Sequence, residues 1–266
     1  MTLVFRNGVE IDDPVRYALA FLENDYSYRS YDLLPVARDV TLALEDIRVG
    51  NRIGARMSAA ESEALYTRKT QFEAALAQIP PDASLCDPDD AIPWDALRDL
   101  YAAANGVPGI GLAKLTKFLH KKRPELVPML DSVVEGYLRS VSEVPHRALG
   151  FGLVGTALTR SYKVDLDANL DVVRDVKAAI ALHGYELSEC RIMDLFTWAY
   201  SGETQPPWAA GLATEEQPSD QIDEIAELAL DAGIALDDES RVALEALIGR
   251  MGYVRARRVL RAWRQG

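Results

Sequence analysis

The run Val107-Pro108-Gly109-Ile110-Gly111, followed by a lysine-rich stretch and then Asp131, constrains this chain more than any other segment. Proline fixes one backbone angle and glycine opens conformations with positive φ, so the run must turn sharply. Ile110 stands between the two glycines and is expected to plug into a core, locking the turn between two helices. The following helix, from about Leu112 to His120, then begins with amides that lack intrahelical acceptors. Such amides, together with the helix dipole, favour an anion. Lys114, Lys117, Lys121, Lys122 and Arg123 follow with no acid among them. The pattern points to a phosphate site built from Gly109, Ile110, Gly111, Ala113, Lys114, Thr116 and Lys117. The competing reading is a structural turn whose lysines form a solvated face.

Charge narrows the search. The formal net charge of −12 argues against a generic nucleic-acid coat, yet its distribution is uneven. Residues 106–160 carry 8 basic and 4 acidic side chains, and residues 250–266 carry 6 arginines and no acid. Contact with a polyanion needs only a local positive surface, so these islands are where one would bind. The acidic stretch 211–239 instead suits a basic protein partner, which keeps an interaction scaffold among the readings. The content of 48% hydrophobic and 26% charged residues is ordinary for a soluble globular chain. No apolar run approaches the roughly 20 residues that span a bilayer, and the N-terminus lacks the order of a secretion signal. Cys86 and Cys190 are too few for a four-cysteine iron–sulfur or zinc site. His120, His146 and His183 are spaced too widely for a metal motif. The expectation is a reduced, cytoplasmic protein with no metal.

Periodicity makes the chain all-α. The opening LVFRNGVEI reads as a short β-hairpin turning on Asn7-Gly8, an appendage to the helices. Helices are expected after Pro14, from about Pro35 to Val49, and from Ser58, whose Ser58-Ala-Ala-Glu61 has capping-box spacing, towards Ile79. A loop over 80–93 precedes a helix from about Trp94 to Ala104, and others follow Asp131 and fill 167–183 and 188–200. The domain reading is a helical body over 1–205, a linker over 206–219 containing Trp208, and a small helical extension over 220–266. Arg257, Arg261 and Arg264 share a face of that extension, suited to DNA phosphates or to the acidic 215–239 segment.

The hairpin, Pro124 and Pro128 in the loop after it, and Asp131-Ser132-Val133-Val134 at a 20-residue step from Gly111 together resemble the helix-hairpin-helix (HhH-GPD) DNA glycosylase superfamily. The resemblance is close over about 95–140 and loose over about 35–200. The form VPGIG…KxLHxKRPxLxPxLD and the later RIMDLFTWAY look most like a bacterial branch of unknown function. It implies a two-lobed glycosylase-like helical fold that binds duplex DNA and flips a base into a pocket. Asp131 would then stabilise the oxocarbenium-like sugar and orient water. The family's Schiff-base lysine would fall on Ala113, so the resemblance implies simple hydrolysis without strand nicking. It implies no cofactor beyond a monovalent cation at the hairpin. Trp94, Tyr101 and Asn51 are the candidate pocket residues, although Trp94 and Tyr101 share a helical spacing with Leu97 and Leu100 that equally suits a core. Asp131 is also a good helix N-cap, with or without chemistry.

Overall fold

A computed structural model describes residues 1–24, 28–35 and 38–200. The chain divides into two compact units, Met1–Ala18 with Tyr26–Glu203 and Leu19–Asp25 with Thr204–Gly266. The expected linker over 206–219, the 220–266 extension, Trp208 and the C-terminal arginines lie outside the described residues. The first unit is mainly helical and carries the candidate site.

Strands β1 (Leu3–Val4) and β2 (Glu10–Ile11) pair antiparallel, Leu3 opposite Ile11 and Val4 opposite Glu10. Phe5 N donates to Val9 O at 2.8 Å, so the loop is the three residues Arg6 to Gly8 rather than a two-residue turn on Asn7-Gly8. Gly8 supplies the left-handed residue such a loop needs, with φ of 84°. The hairpin is not an appendage. Leu3, Phe5 and Ile11 are buried, and the Asn169 side chain both accepts from Val4 N (2.8 Å) and donates to Val4 O (2.9 Å), like a further strand. Arg6 pairs with the buried Asp165 at 2.8 Å.

Ten α-helices follow among the described residues: α1 (Pro14–Asn24), α2 (Leu44–Arg48), α3 (Ala59–Tyr66), α4 (Lys69–Leu76), α5 (Trp94–Ala102), α6 (Leu112–Lys122), α7 (Ser132–Val141), α8 (Phe151–Ala168), α9 (Leu170–Ala181) and α10 (Glu189–Tyr200). The Ser58 capping box forms as expected and starts α3, but the helix breaks near Thr67-Arg68 before α4. The helix expected over 35–49 shrinks to the single turn and a half of α2. Distant partners hold the approach to α2 extended. Lys122 Nζ donates to Thr41 O at 2.6 Å, and Leu42 N donates to Glu73 Oε1 at 2.8 Å.

The 18-residue α8 has no counterpart among the sequence expectations, because Gly152, Gly155, Thr156 and Thr159 dilute its pattern. Those small residues let α8 lie against α5. A Cβ at Gly155 would come within 2.6 Å of the Tyr101 ring, and one at Gly152 within 3.0 Å of Arg98 O. Tyr101 closes the contact through a 3.0 Å hydrogen bond between its hydroxyl and that of Thr159. Tyr101 is therefore a core residue with no exposed surface, not a pocket residue. Gly155→Ala should lower stability by about 1–3 kcal/mol through overpacking, measured as the shift of the denaturant midpoint at constant slope. An unchanged midpoint would mean that α5 and α8 can part at no cost.

Candidate functional site

The hairpin joins α5 to α6. Gly106 and Gly109 adopt φ of 75° and 74°, and Ile110 is buried between the helices as its position demands. Gly111 differs from expectation. It is extended, with φ of −120° and ψ of 171°, and a Cβ there would meet nothing within 4 Å. Gly111 O accepts from Lys114 N (3.1 Å) and Leu115 N (3.0 Å), opening α6 without a capping side chain. The amides of Gly111, Leu112 and Ala113 have no acceptor among the described residues.

The lysines after the hairpin do not form a free stripe. Lys114 Nζ donates to Glu61 Oε1 at 2.6 Å, and the Glu61 carboxylate lies where a Cβ on Gly109 would sit. Gly109 thus needs to be glycine twice, for its positive φ and for this contact. The bond from Lys114, then that from the Ser58 amide, holds the Glu61 carboxyl down at about 2. Lys121 donates to the carbonyls of Asp32 and Leu34, both at 2.9 Å, and its ammonium lies over the Tyr31 ring. Lys122 and Arg123 are buried, and Lys122 pairs with Asp46 at 2.8 Å. That leaves Lys117, half-buried, whose ammonium has no hydrogen-bond or ion-pair partner among the described residues. Burial lowers the pKa of its ammonium, while the negative charge of Asp131 opposes that shift.

Asp131 is held in place by the three-residue segment that it ends. Met129 N donates to both carboxylate oxygens of Asp194 at 3.2 Å, and Leu130 N donates to the buried Thr116 hydroxyl at 3.0 Å. Thr116 is therefore a brace for this segment and is not exposed to phosphate. Asp131 Oδ1 then accepts from Val133 N and Val134 N, each at 3.0 Å, capping α7. Oδ2 has no partner among the described residues.

A cleft of about 230 Å³ opens beside the hairpin, lined by Gly111, Leu112, Ala113, Ser132, Glu135, Arg147, Phe151 and Val154. It meets α7 at Ser132 and Glu135, one residue beyond Asp131. The acid in its wall is thus Glu135, which accepts from Arg139 Nε at 2.7 Å and Arg147 Nε at 3.0 Å. Burial pushes Glu135 upward, but the two guanidiniums outweigh it and keep the carboxyl below its usual value.

The remaining candidates are structural or lie elsewhere. Trp94 Nε1 donates to Asp89 O at 3.0 Å, and Arg160 stacks on its ring at 4.0 Å, at a separate surface cleft. Asn51 clamps its own loop, accepting from Met57 N (2.7 Å) and donating to Met57 O (2.9 Å). That loop carries a feature the sequence did not suggest. Arg56 is exposed with φ of 52°, the one non-glycine residue in that region among the described residues, and its charge acts on Lys117. A left-handed arginine stores strain of about 1 kcal/mol.

Sequence reasoning also missed a buried cluster on α10. One ring nitrogen of His120, Cys190 Sγ and a carboxylate oxygen of Asp194 lie within 4.8 Å of one another. Burial drives His120 down to about 3 and Asp194 up to about 7. Cys190 and Asp194 are four apart on α10 and share a face; that spacing was the available signal, but the third member comes from α6. Beside them the Arg191 guanidinium binds Asp32 at 3.0 Å.

In comparisons with known proteins, residues 15–201 match a family of unknown function, DUF6308. The chain belongs to this family. No curated protein and no solved structure matches it. No helix among the described residues is long and apolar enough to cross a membrane.

Two measurements check the site's framework. The Glu61–Lys114 contact contributes in full above pH 4.5, the ordinary carboxyl value, and is lost as pH falls towards about 2, because the unfolded chain takes up the proton first. Glu61→Gln should therefore flatten the acid limb of stability between those values, and an unaltered limb would show that the pair contributes nothing. Asp131→Ala should cost about 1 kcal/mol by removing the cap, whereas Asp131→Asn, itself a good cap, should stay within a few tenths. Equal losses in the two variants would show that the charge, not the cap, is what matters.

Proposed function

We propose that this protein binds duplex DNA through the α5–α6 hairpin and that Asp131 serves hydrolysis of an N-glycosidic bond. The observation that carries the reading is the start of α6, where the amides of Gly111, Leu112 and Ala113 are unclaimed and Lys117, one turn on, keeps an ammonium that feels the charge of Asp131. Lys117 stands four residues after Ala113, one turn along the same helical face, and the free amides of Gly111, Leu112 and Ala113 open that helix. A phosphate approaching that face meets amide donors, the positive helix end and a partly dehydrated ammonium. Asp131, fixed through Oδ1, keeps Oδ2 for a water or for the positive charge that develops on the sugar. Ala113 offers no amine at the position where the glycosylase superfamily that the sequence resembles carries its Schiff-base lysine, which favours hydrolysis over strand nicking.

A second reading is favoured by one observation. The cleft beside the hairpin is lined by Ser132 and Glu135 but not by Asp131. On that reading the protein keeps the grip and lacks the chemistry.

Binding and chemistry are separable by experiment. Lys117→Glu should weaken duplex binding at least tenfold at low salt and reduce the salt slope by about 1, read by fluorescence anisotropy. Equal affinities for the variant and the parent would remove the hairpin from the interface. Base release from duplexes carrying a panel of damaged or modified bases should occur with the parent and vanish with Asp131→Asn. Tight binding with no release from any duplex would establish the second reading.

A further inference from the structure

We propose that His120, Cys190 and Asp194 form a binding site for one zinc-class divalent ion between α6 and α10. The site is independent of the hairpin reading. Its three side chains are only 2%, 1% and 2% exposed, and they bring one nitrogen, one sulfur and one oxygen within 4.8 Å of one another. Bond lengths of about 2.0–2.3 Å place the ligand atoms of a tetrahedral ion about 3.3–3.8 Å apart. From a separation of at most 4.8 Å, binding therefore requires no more than about 1.5 Å of closure.

The surroundings are already arranged as an outer shell. The Val127 carbonyl sits 2.7 Å from His120 Nδ1, and since a carbonyl can only accept, that nitrogen carries the proton. Nε2 is left as the lone-pair nitrogen, the arrangement by which outer groups orient a ligating imidazole. Asp194 is fixed by Met129 N, and the Cys190 carbonyl accepts from the Tyr162 hydroxyl at 2.7 Å. Each ligand is thus tied to an element other than its own.

Charge and ligand type select the ion. A thiolate and a carboxylate neutralise a divalent cation, while the neighbouring Arg191 is already matched by Asp32. Mixed sulfur, nitrogen and oxygen ligands suit zinc and its neighbours and not magnesium or calcium. Three protein ligands leave a fourth position for water or a small ligand. Of the three ligands, His120 borders a cleft of about 620 Å³ that Arg191, Asp32, Lys121 and Ser188 also line, the side from which an ion would enter.

The test uses the full chain, stripped with chelator and titrated with Co2+ and with Zn2+. The expected result is one ion per chain and a near-ultraviolet thiolate-to-cobalt charge-transfer band. The band should be lost in Cys190→Ser and kept in Cys86→Ser, and Zn2+ affinity should fall at least tenfold in His120→Gln and in Asp194→Asn. Circular dichroism of each variant shows whether it has folded. Absence of the band in the parent chain overturns the proposal whatever the variants do. So does a band that persists in Cys190→Ser.

Discussion

Arg123 is a guanidinium buried to 0% exposure at the end of α6. A charge in such a place is tolerated only when most of its donors are satisfied, and here the two terminal nitrogens are while Nε has no partner among the described residues. It donates to the carbonyls of Arg38 and Lys122, both at 2.7 Å, of Leu76 at 3.0 Å and of Ile79 at 3.1 Å. Leu76 is the last residue of α4, so one side chain caps that helix with positive charge and ties it to α6 and to the segment before α2. Lys121 and Lys122 act likewise on the carbonyls of residues 32–41. These three cations fix the C-terminal end of α6, and both the hairpin at its start and the segment leading to Asp131 are placed from it.

The same bonds explain what the sequence disclosed and what it concealed. Features set by a few neighbouring residues were legible: the left-handed Gly109, the buried Ile110, the Ser58–Glu61 capping box and the Asp131 cap. Features set by distant partners were not. The helix expected over 35–49 was lost to Lys122 and Glu73, and the β-hairpin became part of the core through Asn169 and Asp165. Helix α8 was hidden because its glycines serve the close approach to Tyr101, a demand invisible without α5. The lysine stripe was misread for the same reason. A run of like charges in sequence says nothing about where Glu61, Asp46 or the carbonyl of Thr41 will lie.

What remains positive after that internal pairing sets a direction of approach. On the Gly109 side of the hairpin the Glu61 carboxylate already occupies the surface, and a second anion there would be repelled. On the Gly111–Ala113 side the amides are unclaimed, and Lys117 lies one turn beyond Ala113. Arg56, held in a strained conformation, adds its charge near Lys117 from the opposite loop. In a chain of net charge −12, long-range attraction to a polyanion is weak, so short-range donors must decide where one settles. Lys117 is also the cation whose burial lowers its own pKa while Asp131 supports its charge. An ammonium within the field of a carboxylate but not bonded to it leaves each with capacity for a third group. On the proposed reading, a sugar-phosphate, anionic at one end and able to develop positive charge at the other, is the group that would use both.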